Sequence, residues 1–194
     1  MKLNFSSVEK RDIIKAWVII SLAFGILISN SLFSYKVLIK NFLISFFTVG
    51  VGFLLHELAH KFLAQKYNCF AEFRADNKML LISLVSAFFG FLFAAPGGVV
   101  INGDVNNEKL AKIASVGPLM NIVIAIIFLT ITGLSNNFIK SIAEYGFTIN
   151  SWLALFNLIP IFPFDGGKII KGSKKLYSVL LCSSILLSIA GVFR

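Results

Sequence analysis

Residues 41–67, NFLISFFTVGVGFLLHELAHKFLAQKY, form one long apolar run with His56, Glu57 and His60 set in its second half. An α-helix brings positions i and i+4 to one face, so His56 and His60 can present two imidazoles to a single ion. Glu57, one position on, sits beside that face and can reach a water bound to the same ion, which is the logic of an HExxH pattern. A helix rises about 1.5 Å per residue, so His56 lies roughly 22 Å beyond Asn41, inside a hydrocarbon core about 30 Å thick. Three ionisable groups within five residues are costly at that depth unless a partner of opposite charge offsets them, and a metal ion is such a partner.

The rest of the chain fits a lipid setting. Its 194 residues are 57% hydrophobic, with 21 phenylalanines and 14% charged residues, against about 45–50% apolar for an average soluble domain. The net charge of +9 does not point to nucleic acid. Its lysines and arginines fall in small groups between apolar runs (Lys10-Arg11, Lys36 and Lys40, Lys61 and Lys66, Lys171, Lys174 and Lys175), as in loops flanking membrane spans. Cys69 and Cys182 have no ligand spacing and are expected to pack as small apolar residues.

Five segments have the length and apolar character of spans: Ile13–Phe33, Asn41–Ala64, Ala111–Gly133, Ala143–Phe162 and Leu176–Phe193. Trp17, Tyr35, Tyr67, Tyr145 and Tyr177 fall near their ends, as interfacial aromatics do. The first run exceeds a signal-peptide h-region of about 7–15 residues and is expected to remain as a span. The stretch Met79–Ala95 is ambiguous. With the N-terminus cytoplasmic, a non-crossing Met79–Ala95 places 14 of the 18 lysines and arginines inside, whereas a crossing one places 10 there. The positive-inside rule therefore favours a re-entrant element. Val99-Val100-Ile101 before Asn102-Gly103 looks like a short strand entering a tight turn. The expected fold is an all-α polytopic membrane protein, with about five transmembrane helices and a re-entrant or short β-hairpin element near residues 79–104. It would form a single domain over residues 1–194, with a catalytic core at about 42–167 and peripheral spans at 13–33 and 176–193.

A catalytic zinc site needs a third protein ligand beside an open position for water. Asp165 stands in Asn157–Gly167, NLIPIFPFDGG, at the end of a span. Pro160 and Pro163 lack the N–H groups that would bond Phe156 and Ile159, so the helix should unwind just before the acid. Both His60 and Asp165 then lie at C-terminal span ends, so the two spans must run the same way if they share an ion. Glu72, Glu108 and Glu144 are alternatives by residue type but lack a comparable supporting motif. A third motif, Gly117-Pro118-Leu119-Met120-Asn121, lies early in the intervening span, where small residues permit close helix approach.

Taken together, HELAH, GPLMN and NLIPIFPFDGG resemble the site-2 protease family of intramembrane zinc metalloproteases, whose patterns are HExxH, G-x-x-x-N and N-x-x-P-x-x-P-x-D-G. The match runs in family order over about residues 42–167, in a compact form without PDZ or CBS domains. The resemblance implies one Zn²⁺ per chain on His56, His60 and Asp165, with Glu57 as the base. It also implies substrate contact by Asn157 and a further polar contribution from Asn121. An exposed strand edge at Val99–Ile101, centred on Val100, would hold the unwound substrate by strand addition. The expected setting is the cell membrane, multi-pass, with the active site toward the cytoplasm and a transmembrane protein as substrate. A membrane metal carrier or sensor using the same His/His/Asp site is the rival reading.

Overall fold

The computed structural model describes residues 4–29, 34–92, 96–134 and 137–192. The chain order is α1 (Ser7–Leu27), α2 (Tyr35–Ser45), a π-helical turn (Phe46–Gly50), α3 (Val51–Lys66), β1 (Phe70–Ala75), α4 (Asn77–Phe88), β2 (Gly97–Asn102), α5 (Asn107–Leu134), α6 (Asn137–Asn157), α7 (Asp165–Gly172) and α8 (Lys174–Val192). The expected span ends at Phe33 and Phe193, and Ala95 at the end of the ambiguous stretch, lie outside the described residues.

The run that carries HELAH folds as one continuous helical rod, Tyr35–Lys66. Its π turn is braced by α1: Trp17 stacks on Phe46 with centroids 4.3 Å apart and donates its indole N–H to the Phe46 carbonyl at 3.1 Å. Among the described residues, three helices are long and apolar enough to cross a membrane: Tyr35–Lys66, Asn107–Gly133 and Lys174–Gly191. The spans expected in α1 and α6 fall short of that standard. Glu9, Lys10, Arg11, Asp12 and Lys15 occupy the first half of α1, and Lys140, Glu144, Asn150 and Ser151 interrupt α6. Large apolar side chains are exposed along α5 (Val123, Ile126, Ile127) and α8 (Val179, Leu186, Ile189), the inverse of a water-soluble surface.

The expected β-hairpin near 79–104 takes a different form. β2 does not turn back at Asn102-Gly103; it pairs antiparallel with β1, upstream, with Phe73 opposite Val99 and Phe70 opposite Asn102. The twelve residues of α4 join the strands, and at about 18 Å they are shorter than a hydrocarbon core of about 30 Å. Asp76 caps α4 by accepting from the Lys78 and Met79 N–H groups. β1 escapes a sequence reading because Ala71, Glu72 and Phe73 are all buried in succession, which erases the period-2 alternation that marks a strand.

Carboxylates meet both outer edges of this two-stranded sheet. Phe73 and Val99 form a ladder pair whose N–H groups point away from each other. The Phe73 N–H donates to Glu9 Oε1 at 2.9 Å, and the Val99 N–H donates to Glu57 Oε2 at 3.1 Å. Ala75 N–H likewise donates to Asp12 Oδ2 at 3.3 Å. Glu9 is wholly buried and accepts Lys61 Nζ at 2.6 Å on both oxygens, so α1, β1 and the turn after HELAH meet at one ion pair. Ala16, Ile20, Phe24, Val49, Phe73 and Leu80 pack around this junction as a core cluster.

Candidate metal centre

Three elements build the centre. Helix α3 presents His56 and His60 one turn apart, α5 lies against them, and α7 supplies Asp165 as its first residue. The imidazole Nε2 atoms stand 3.0 Å from each other, and Asp165 Oδ2 is 3.3 Å from His56 Nε2 and 3.0 Å from His60 Nε2. One ligand atom from each residue falls within 4.8 Å of the others, and all three side chains are buried.

The outward nitrogens of both rings are already engaged: His56 Nδ1 with Asn121 Oδ1 at 2.6 Å, and His60 Nδ1 with the Ile113 carbonyl at 2.7 Å. An amide oxygen and a backbone carbonyl only accept, so each Nδ1 carries the proton. Two Nε2 lone pairs and a carboxylate oxygen then face one another in a buried space, an arrangement that repels itself unless a cation is shared. Two imidazole nitrogens and one carboxylate oxygen are the donor set of a three-ligand zinc site with a position left for water. His56, His60 and Asp165 fit one zinc ion.

Gly117 shows how closely α5 approaches. A Cβ there would fall 2.3 Å from His60 Nε2 and 2.6 Å from His56 Nε2, in the space the ion requires. Gly166 plays a similar part on α7, where a Cβ would lie 2.2 Å from the Leu158 carbonyl oxygen. The proline-rich stretch does end α6 at Asn157 and release an irregular segment before Asp165. The carbonyls of Phe156 and Ile159, expected to be free, accept instead from the N–H groups of Ile159 and Ile161 at 3.1 and 2.9 Å.

Glu57 lies beside the ligands, with Oε1 at 3.9 Å from His56 Nε2 and Oε2 on the Val99 N–H. By strand alternation, the outer edge of β2 carries the backbone groups of Val99, whose N–H meets Glu57, while those of Val100 face β1. Asn121 is wholly buried and turns its side-chain oxygen to His56. Asn157 lines the cavity, but its Nδ2 donates to the Leu153 carbonyl at 2.9 Å. Glu72, Glu108 and Glu144 lie away from the histidines, paired with Arg74, Lys112 and Lys140 respectively.

Two neighbours escaped the sequence reading. Lys168 holds Asp165 Oδ1 at 3.2 Å, and its signal is the i, i+3 spacing from the acid. Asn150, wholly buried in α6, donates and accepts within the same network as Asn121. An uncharged polar residue amid an apolar run was its only mark. A cavity of about 390 Å³ opens from the metal ligands toward Phe24, Val49, Phe53 and Leu153.

Comparison with known proteins bears on this centre. The chain is 38% identical over 167 residues to a Methanocaldococcus jannaschii protein named "Putative zinc metalloprotease MJ0611", covering 84% of this chain and 87% of that one. The chain belongs to the site-2 protease-like family of zinc metalloproteases. A second relative from the same organism, "Zinc metalloprotease MJ0392", is 32% identical over 74% of this chain and 38% of its own length. "Putative zinc metalloprotease Rip3" of Mycobacterium tuberculosis is 30% identical over 61% of this chain and 28% of its own length. No family model matches the chain, and no solved structure matches it. Within the family, this member places its His/His/Asp set at the junction of α3, α5 and α7, open to a cavity with an apolar far wall.

Proposed function

We propose that this chain is an intramembrane zinc endopeptidase that hydrolyses a peptide bond within or near a transmembrane segment of a membrane protein, in the manner of regulated intramembrane proteolysis. The observation that carries this reading is the coincidence of two features on one helix. Tyr35–Lys66 is long and apolar enough to cross a bilayer, and it holds both histidines of the buried metal set with Glu57 beside them.

His56, His60 and Asp165 would bind the ion, and Glu57 would take a proton from the attacking water and pass it to the leaving amine. A bound zinc ion acidifies that water and polarises the scissile carbonyl. The outer edge of β2 would take up the unwound substrate as an added strand, with the Val99 carbonyl as a backbone contact beside the Val99 N–H that Glu57 holds. In this reading α1 and α6 also cross, so that the multi-pass bundle sits in the cell membrane with the centre toward the cytoplasm. The polar residues Glu9, Asn150 and Ser151 are compatible with this because they face protein and are buried, whereas the exposed Lys10, Arg11, Lys140 and Glu144 lie in the N-terminal parts of α1 and α6.

Glu57→Gln tests the reading directly. The amide keeps the shape and the Val99 contact but accepts no proton, so zinc content should be unchanged while cleavage of membrane substrates falls by about 10²–10⁴-fold. The readout is a comparison of the membrane proteomes of cells carrying each form. Undiminished cleavage would remove Glu57 as the base, and zinc passage into vesicles without cleavage would favour a carrier.

A further inference from the structure

The polar chain behind His56 does not end at Asn121. Asn121 Nδ2 donates to the Gly52 carbonyl at 3.3 Å and to Asn150 Oδ1 at 3.0 Å, and Asn150 Nδ2 donates to the Gly146 carbonyl at 2.9 Å. Asn121 and Asn150 are both wholly buried. The chain runs from the metal ligand on α3, through α5, to the middle of α6.

Its direction is determined from the far end. The Gly146 carbonyl can only accept, so Asn150 must turn its NH₂ toward it and its Oδ1 toward Asn121. That oxygen and the Gly52 carbonyl together fix the Asn121 NH₂, because a flipped amide would set its oxygen against two acceptors. Asn121 Oδ1 is thereby committed to His56, His56 Nδ1 must be the protonated nitrogen, and the Nε2 lone pair is left for the ion. Space at this point is closely fitted as well, since a Cβ on Gly52 would lie 2.1 Å from Asn150 Oδ1.

We infer that Asn150 is a positioning residue for the metal centre, which sets the tautomer and ring orientation of His56 through Asn121. It makes no contact with the ion or with substrate. The inference rests on the zinc site and not on intramembrane cleavage, so its test reads metal binding alone.

The test is zinc affinity, measured by chelator competition on the full chain in detergent, together with ring ¹⁵N spectra of the metal-free protein. The chain has two histidines, so those spectra are readable by residue. Asn150→Leu keeps the bulk but removes both polar groups, and affinity should fall about 10–100-fold, as when an outer hydrogen-bond partner of a ligand is lost. The His56 signals should shift toward mixed tautomers, while His60, held independently by the Ile113 carbonyl, should not move. Asn150→Asp, as the neutral acid, reproduces both hydrogen bonds and should bind zinc as the unaltered chain does.

A residue that merely fills space would give the opposite order, with Leu tolerated and Asp harmful, and that order would overturn the inference. Gly52→Ala displaces the same amide without removing it and should reproduce the His56-selective change even if Asn150→Leu fails to fold. Unchanged affinity and unchanged His56 signals in a folded Asn150→Leu or Gly52→Ala protein would also overturn it. Absence of zinc from the unaltered chain would count against the metal site itself, a separate result.

Discussion

Among the residues of the centre, the ligands were legible because their chemistry is local. His56 and His60 declare a shared face by spacing alone, and Asp165 is marked by the prolines and glycines around it. Gly117 was legible only as a small residue suited to close packing. Its necessity is set by α5 lying against the imidazoles, where a Cβ would sit 2.3 Å from His60 Nε2. Gly117→Ala should therefore cost more zinc affinity than the loss of an outer hydrogen bond, more than roughly 100-fold, with helix content unchanged. Metal analysis of the purified variant with circular dichroism checks this, and full zinc occupancy would show that the helices separate readily. Asp165→Ala should also lower zinc content, and unchanged occupancy by mass spectrometry would reject Asp165 as a ligand.

For the elements, the long helices and strand β2 announced themselves, whereas β1 and its pairing with β2 did not. Long apolar runs become helices in lipid because the backbone must satisfy its own hydrogen bonds there. A two-stranded sheet satisfies only half of its backbone groups internally. Here Glu9, Asp12 and Glu57 complete the edges from α1 and α3, a condition no local pattern encodes. The Glu9–Lys61 pair is the tie between these elements. Removing one member of a buried ion pair strands the other, so Lys61→Met should cost about 3–5 kcal/mol of stability. Glu9→Leu in the same chain should restore part of that loss, although the Phe73 N–H then lacks its acceptor. Thermal unfolding of the single and double variants in one detergent measures both effects, and additive losses would show that the pair is not coupled.

In the whole molecule, the decisive constraint is that α3 and the start of α7 deliver ligands to one point. If the bundle crosses as proposed, residues 109 and 140 lie on opposite faces of the membrane. Single cysteines placed there in a chain lacking Cys69 and Cys182 should label from opposite sides of sealed vesicles, and labelling from the same side would refute the proposed topology. The amino-acid sequence by itself determined the apolar, mostly helical class and the His56/His60/Asp165 group that can hold a metal ion, because hydropathy, i, i+4 spacing and the prolines and glycines around the acid act through neighbouring residues. Only the tertiary structure decided that β2 pairs backward with β1, that Val99 rather than Val100 turns its backbone outward and onto Glu57, and that Asn121 and Asn150 stand behind His56. Those outcomes depend on contacts between segments tens of residues apart, whose partners are chosen by packing and by the need to pair every buried polar group.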